Sequence, residues 1–234
     1  MFTITVNNVN DAPTITSSAV TSANEDSGYS YEFTASDVDS GDSIAYSAPT
    51  KPSWLNINSS SGALTGTPSN SDVGTHSIVL KATDAAGATD TESFTLTVNN
   101  VNDAPTITST AVTSVNEDVA YSYTFAANDV DSGDSVTLSA QTKPSWLSFN
   151  AGTGVLSGTP NNSHVGNHSV TLRATDSNGV STDQSFTITV NNVNDAPVLE
   201  AISDSSADED AAFSYQLKAS DVDAVLADLV AGLE

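Results

Sequence analysis

From Tyr29 onward apolar and polar side chains alternate one by one. Tyr29, Tyr31, Phe33 and Ala35 fall on one side of an extended chain, and Ser30, Glu32 and Thr34 on the other. The same period of two runs through Ile78, Leu80 and Ala82, and through Phe94, Leu96 and Val98 against Thr95 and Thr97. Such alternation predicts β-strands with one buried and one wet face. Gly, Pro, Asn, Asp and Ser break the pattern roughly every 8–12 residues, the spacing of an all-β sandwich. Abundant Thr, Ser and Val fit a pleated, half-buried surface.

The pattern recurs with a fixed offset. Asn-Asp-Ala-Pro stands at Asn10–Pro13, Asn102–Pro105 and Asn194–Pro197. Trp54 returns as Trp146, and Asp37-Val38-Asp39 as Asp129-Val130-Asp131. Residues 11–102 align without a gap on 103–194, with about 60 of 92 positions identical, which no disordered tail would keep. A period of about 90 residues is the size of one small self-sufficient domain, so the copies are strung as beads. The expected organisation is residues 1–10 as the last strand of a preceding repeat, 11–102 as repeat 1, 103–194 as repeat 2 and 195–234 as the start of a third. Residues 2–10 are identical to 186–194, and the third copy keeps its pattern only to Asp221-Val222-Asp223. The chain therefore reads as a piece of a longer repeat protein. Ala224–Leu233 leaves the pattern and is compatible with a helix.

Charge narrows the function classes. Lys and Arg number 5 against 29 Asp and Glu, a net charge of −24. Nucleic acid and anionic membrane surfaces are poor partners, since both are bound through Lys and Arg. With no Cys, neither a disulfide framework nor a zinc-thiolate site is available. No apolar run reaches the ~18 residues of a spanning helix, and the residues after Met1 do not read as a signal peptide.

The acids that both copies share lie in particular loops, whereas others drift: Glu32 becomes Thr124, Asp72 becomes His164 and Glu92 becomes Gln184. In a seven-stranded Greek key, Asp129-x-Asp131 follows the second strand and Asp176 the sixth, which puts both at the pole that meets the preceding linker. Glu117 precedes the second strand and falls at the opposite pole. Each junction thus gathers acids from two beads around a polar linker. Their mutual repulsion costs about 1 kcal/mol per close pair even in water-like dielectric. A hard dication with oxygen ligands in flexible geometry relieves it; calcium fits better than magnesium or any soft metal.

The strings Val-Asn-Asp-Ala-Pro, Ala-Ser-Asp-Val-Asp-Ser-Gly-Asp and Lys-Ala-Thr-Asp resemble the calcium signatures of cadherin repeats. Lys51 to Asn58 and Gly62 to Pro68 resemble bacterial dystroglycan-type cadherin-like and "Putative Ig" domains. The resemblance covers both full copies and the start of the third. It implies tandem seven-stranded immunoglobulin/cadherin-like β-sandwiches in an extended array, with calcium ions between them. The ligands it implies at the first junction are Asn10, Asp11, Asp37, Asp39 and Asp84. At the middle junction they are Glu25, Asn102, Asp103, Asp129, Asp131 and Asp176, and at the last Glu117, Asn194, Asp195, Asp221 and Asp223. The sequence departs from cadherins at Asn100 and Ala104, and it lacks the Asp-Arg-Glu motif. One or two ions per junction are therefore expected, with dissociation constants of ~10⁻⁴–10⁻³ M.

Trp54 and Trp146 are expected in the core rather than as sugar platforms, and His76 and His168 as structural residues. Asp26 and Asp118 read as turn residues. No catalytic constellation of known geometry is present, so an enzyme is not expected. The expected role is a calcium-stiffened extracellular stalk of a bacterial surface or secreted adhesin. The alternative is a module that binds polysaccharide or another copy of the array. The orphan segment Phe2–Val6 is a further candidate for pairing with a second chain.

Overall fold

The structure, a computed structural model, describes residues 1–223. The chain forms two compact units, Met1–Asp103 and a second beginning at Ala104. The segment expected to turn helical, Ala224–Leu233, lies outside the described residues.

In unit 1, short ladders trace seven strand paths. The first path is split into β1 (Thr14–Ile15) and β2 (Ser22–Asn24), and the second into β3 (Tyr29–Glu32) and β4 (Ala35–Ser36). Then follow β5 (Ala45–Thr50), β6 (Asn56–Ile57), β7 (Ala63–Gly66), β8 (Gly74–Thr83) and β9 (Thr89–Asn99). One sheet runs β2-β9-β8-β5 and the other β3-β7-β6. Splitting the first path lets it serve both layers: β1 pairs antiparallel with β4, while β2 runs parallel to β9 with Ser22 opposite Thr97. This is an immunoglobulin-type sandwich.

Unit 2 repeats the plan. Its strands are β10 (Thr106–Ile107), β11 (Ser114–Asn116), β12 (Tyr121–Thr124), β13 (Ala127–Asn128), β14 (Thr137–Thr142), β15 (Leu147–Asn150), β16 (Val155–Gly158), β17 (Gly166–Thr175) and β18 (Ser181–Asn191). The sheets are β11-β18-β17-β14 and β12-β16-β15. Beyond them β19 (Val198–Leu199) pairs with β20 (Ala219–Ser220), as β1 does with β4. The described residues contain no α-helix, only 3-10 turns at Asn70–Asp72 and Asn162–His164.

The alternation seen in the sequence becomes the core. Tyr29, Tyr31 and Phe33 meet Leu55, Leu64, Ile78, Leu80, Leu96 and Val98 between the sheets. Trp54 is half-buried on the rim of this cluster, edge-on to Tyr29 at 6.2 Å and 88°. Gly62 lets the chain pass beneath Phe33: its φ is +76° and a Cβ there would lie 2.0 Å from the Phe33 carbonyl oxygen. Residues 2–6 form no strand, although the identical residues 186–190 belong to β18. The difference is the neighbour. Residues 186–190 bond to β17 along their length, and residues 2–6 have no ladder partner.

Candidate metal centre

At one pole of unit 1, β4 runs out into Asp37-Val38-Asp39-Ser40-Gly41-Asp42. The loop is wound by its own acids: the Asp39 N–H donates to Asp37 Oδ1 at 2.8 Å, and the Asp42 N–H to the Asp39 carbonyl at 3.3 Å. β8 ends beside it in Asp84, 6% exposed, whose Oδ1 accepts from the N–H groups of Gly87 (2.6 Å) and Ala88 (2.8 Å). The linker is laid across both. Asn8 Nδ2 donates to Asp39 Oδ1 (2.8 Å), the Asp11 N–H to Asp39 Oδ2 (2.8 Å), and Asn10 Nδ2 to Asp84 Oδ2 (2.9 Å).

Carboxylate oxygens of Asp37, Asp42 and Asp84 lie within 4.8 Å of one another. Burial, then the charges of Asp37, Asp84 and Asp39, push the Asp42 pKa up. Asp84 is held low, first by the Asn10 amide and then by its backbone donors. Unit 2 builds the same pole, where Asp129, Asp131 and Asp134 bring oxygens within 4.8 Å. The Asp131 N–H donates to Asp129 Oδ1 (2.9 Å), and Asp176, 4% exposed, accepts the Val180 N–H (2.8 Å). The Oδ2 atoms of Asp37, Asp129 and Asp134 are buried and accept no hydrogen bond.

The opposite poles carry the glutamates. Glu25 is fully buried: its Oε1 accepts the Val101 N–H at 2.7 Å, and its Oε2 has no partner. Glu117, 2% exposed, does the same with the Val193 N–H at 2.6 Å, leaving its Oε2 unpartnered. Asp26 and Asp118 follow with φ of +55° and +58°, as turn residues. In each linker the Asn amide donates to the carbonyl of the next Asp: Asn10 to Asp11 (3.0 Å), Asn102 to Asp103 (2.9 Å), Asn194 to Asp195 (2.9 Å).

The last junction lies wholly in unit 2. There the Asp223 N–H donates to Asp221 Oδ1 (2.9 Å), and the Asp195 N–H makes a short bond to Asp223 Oδ2. Burial, then Asp223, Asp118, Glu117 and Asp221, push the Asp195 pKa up. An open hollow of about 460 Å³ is lined by Asp118, Asn161, Asn162, Ser163, Asp195 and Val222.

Of the residues expected as ligands, the structure joins Asn10, Asp11, Asp37, Asp39 and Asp84 around the first linker, and Glu117, Asn194, Asp195, Asp221 and Asp223 around the last. Glu25, Asn102 and Asp103 belong to unit 1, and Asp129, Asp131 and Asp176 to unit 2. Asp42 and Asp134 were not among the expected ligands, yet both enter the acid clusters. Their signal was in the sequence: Asp-Val-Asp-Ser-Gly-Asp stands in full in both copies. Asn70 and Asn162, on the 3-10 turns, were missed too.

The donor set fits calcium. All candidate donors are oxygens, and oxygens 4.8 Å apart can share an ion whose Ca–O distances are about 2.4 Å. Buried carboxylate oxygens without a proton donor also call for a cation.

Tandem β-sandwiches with acid-rich linkers define the class: cadherin-like, immunoglobulin-like repeats. The family described as "Putative Ig domain" matches residues 12–99 and 104–191, and the chain belongs to it. The "Serine-rich adhesin for platelets" of Staphylococcus aureus (strain MRSA252) is 31% identical over 147 residues, 62% of this chain. The chain spans only 10% of that adhesin's length. Among solved structures, "Protocadherin Gamma B2 extracellular cadherin domains 1-5" matches 94% of this chain and 48% of its own, with a TM-score of 0.54 and 22% identity. The "Protocadherin GammaB4 extracellular domain" matches 94% of this chain and 39% of its own, at a TM-score of 0.53 and 22% identity. These two likenesses bear on the fold. No helix among the described residues is long and apolar enough to cross a membrane.

Proposed function

We propose that this chain is a calcium-stiffened, non-enzymatic stretch of an extracellular bacterial adhesin, in which ions bound at the linkers set the stiffness of the array. The observation that carries the reading is the pair of buried glutamates. Glu25 and Glu117 each give one oxygen to a linker N–H and keep the other without a hydrogen-bond donor. Stranding a charged oxygen inside a protein is costly unless a cation neutralises it. The acids around the last linker raise the same demand, since Asp223, Asp118, Glu117 and Asp221 all repel Asp195.

Calcium would be held by Glu117, Asp195, Asp221 and Asp223 at the last linker, and by Asn10, Asp11, Asp37, Asp39 and Asp84 at the first. The middle linker carries the same residue types, and the same role is proposed for Glu25, Asn102, Asp103, Asp129, Asp131 and Asp176. An ion bound there would restrict the linker and, by binding only the folded state, add stability by mass action. The similarity to a surface adhesin supports the extracellular setting. Calorimetric titration with calcium, together with small-angle scattering in calcium and in chelator, tests the reading. Heat of binding and a longer, stiffer particle in calcium are expected; no binding heat and superposable scattering curves would refute it.

A further inference from the structure

We propose that the side-chain amides of Asn70 and Asn162 belong to the linker cation sites, as N–H donors to a linker-pole acid when no ion is present and as oxygen ligands when one is bound. This rests on the calcium reading above and adds a ligand that the cadherin resemblance did not imply.

Both residues open a 3-10 turn between the strand pair β7–β8 or its copy β16–β17. The turn is pinned in two chemically different ways. In unit 1 the Ser69 N–H and hydroxyl donate to Asp72 Oδ2 (2.9 and 2.7 Å); in unit 2 the Asn161 N–H donates to His164 Nδ1 (3.0 Å). The capping residue has changed between the copies, and the Asn that the turn presents has not. Its amide reaches an acid in both. Asn70 Nδ2 donates to Asp103 Oδ2 at 2.6 Å, and Asn162 Nδ2 to Asp223 Oδ1 at 2.8 Å.

Asn162 also lines the hollow that Asp118 and Asp195 enclose. The oxygen of Asn70 is buried with no partner, as are Glu25 Oε2 and Glu117 Oε2 on the same poles. An amide suits this place better than a further acid. Its NH₂ end relieves the crowded carboxylates in the absence of an ion, and a half-turn of the side chain exchanges NH₂ for C=O in nearly the same space. Calcium takes Asn carbonyl oxygens as ligands alongside carboxylates. No backbone movement is required.

The test compares wild type, Asn162→Asp and Asn162→Ala in the full chain, by calcium calorimetry and by melting in chelator. Asn162→Asp is expected to bind calcium about tenfold tighter at one site and to melt lower in chelator, because it adds a charge and removes a donor. Asn162→Ala is expected to bind several-fold weaker and also to melt lower in chelator. Calcium affinities within twofold of wild type in both variants overturn the proposal, even if Asn162→Ala melts lower, since the amide is then a structural tie alone. If wild type itself takes up no calcium, the proposed function falls and this inference falls with it.

Discussion

Replacing Glu117 by Gln separates the cost of a buried charge from its use. Glu117 is 2% exposed; its Oε1 accepts the Val193 N–H at 2.6 Å and its Oε2 accepts nothing. Gln keeps the first oxygen as an acceptor. In place of the second it puts an NH₂ group, close to the acids that repel Asp195. Without calcium the variant therefore loses an uncompensated charge and gains a donor among carboxylates. A buried unsatisfied group costs about 1–3 kcal/mol, so Glu117→Gln is expected to be more stable than wild type in chelator by about 1–2 kcal/mol. For a domain of this size each 1 kcal/mol moves the melting temperature by about 4–8 °C.

In calcium the variant's advantage narrows. An ion at about ten times its dissociation constant adds about 1.4 kcal/mol to wild type. Losing one charged ligand is expected to weaken the site about tenfold, which leaves the variant about 0.4 kcal/mol of calcium stabilisation. Scanning calorimetry of the full chain, with and without calcium, reads both numbers from the transition of unit 2. The variant should melt above wild type in chelator and show a smaller upward shift in calcium. A variant that melts lower in chelator and keeps the full calcium shift would show that Glu117 Oε2 is no ligand, and the reading of these poles would be wrong.

Acidity offers a second handle in calcium-free buffer. Asp42 and Asp195 have raised pKa values in the fold, so their stabilising protonation is complete below the unfolded value of about 3.9 and is lost as pH rises through the raised folded values. Asp84 has the opposite sign: its contribution is present above about 3.9 and is lost as pH falls through its lowered folded value. The melting temperature in chelator should therefore climb on mild acidification before it collapses, and Asp42→Asn should flatten the climb; a curve unchanged by that substitution would contradict it. Tyr29→Phe removes the phenol bond to the Val20 carbonyl (2.7 Å) and should cost about 1 kcal/mol in denaturant unfolding. Ultraviolet titration of the same pair should show one fewer phenol ionising near pH 12, because burial and then the neighbouring Tyr31 push the Tyr29 pKa up to about 12. Gly154→Ala puts a Cβ 2.2 Å from the Phe125 carbonyl oxygen at a φ of +70°, and should cost about 2 kcal/mol or more by the same unfolding assay.

What was legible in the sequence followed from periodicity and repetition. A period of two fixes which face of a strand is buried, so the pattern alone assigns Tyr29, Tyr31, Phe33, Ile78, Leu80 and Leu96 to the core. The 92-residue offset gave the copies, and Greek-key connectivity put Asp39 and Asp84 at one pole and Glu25 at the other. Asn70 and Asn162 were not legible. A neutral Asn in a polar loop carries no signal of its own, and its relevance depends on a 3-10 turn that aims it at Asp103 or Asp223. Nor could the sequence show that residues 2–6 lack a strand: a segment identical to a strand becomes one only beside a partner.

The hydrogen bonds at the last linker bear on what an ion has left to do. Val193 is tied by its N–H to Glu117 and Asp195 by its N–H to Asp223, so one side of the linker is bonded to repeat 2 and the other to the start of the third copy. Hydrogen bonds to charged groups contribute about 1.5–3 kcal/mol each, enough to bring the ligand residues together before an ion binds. These ties use one oxygen of each carboxylate and bring the remaining oxygens, with their repulsion, into the same small region. The site is thus largely ordered by the linker's own N–H groups before any ion arrives. A cation entering it neutralises charge without having to assemble its ligands, and binding to a preorganised site forfeits less of its free energy to ordering. Calcium dependence should therefore appear more strongly in stability and in resistance to bending than in the secondary structure of the sandwiches, whose circular dichroism is expected to be the same in calcium and in chelator.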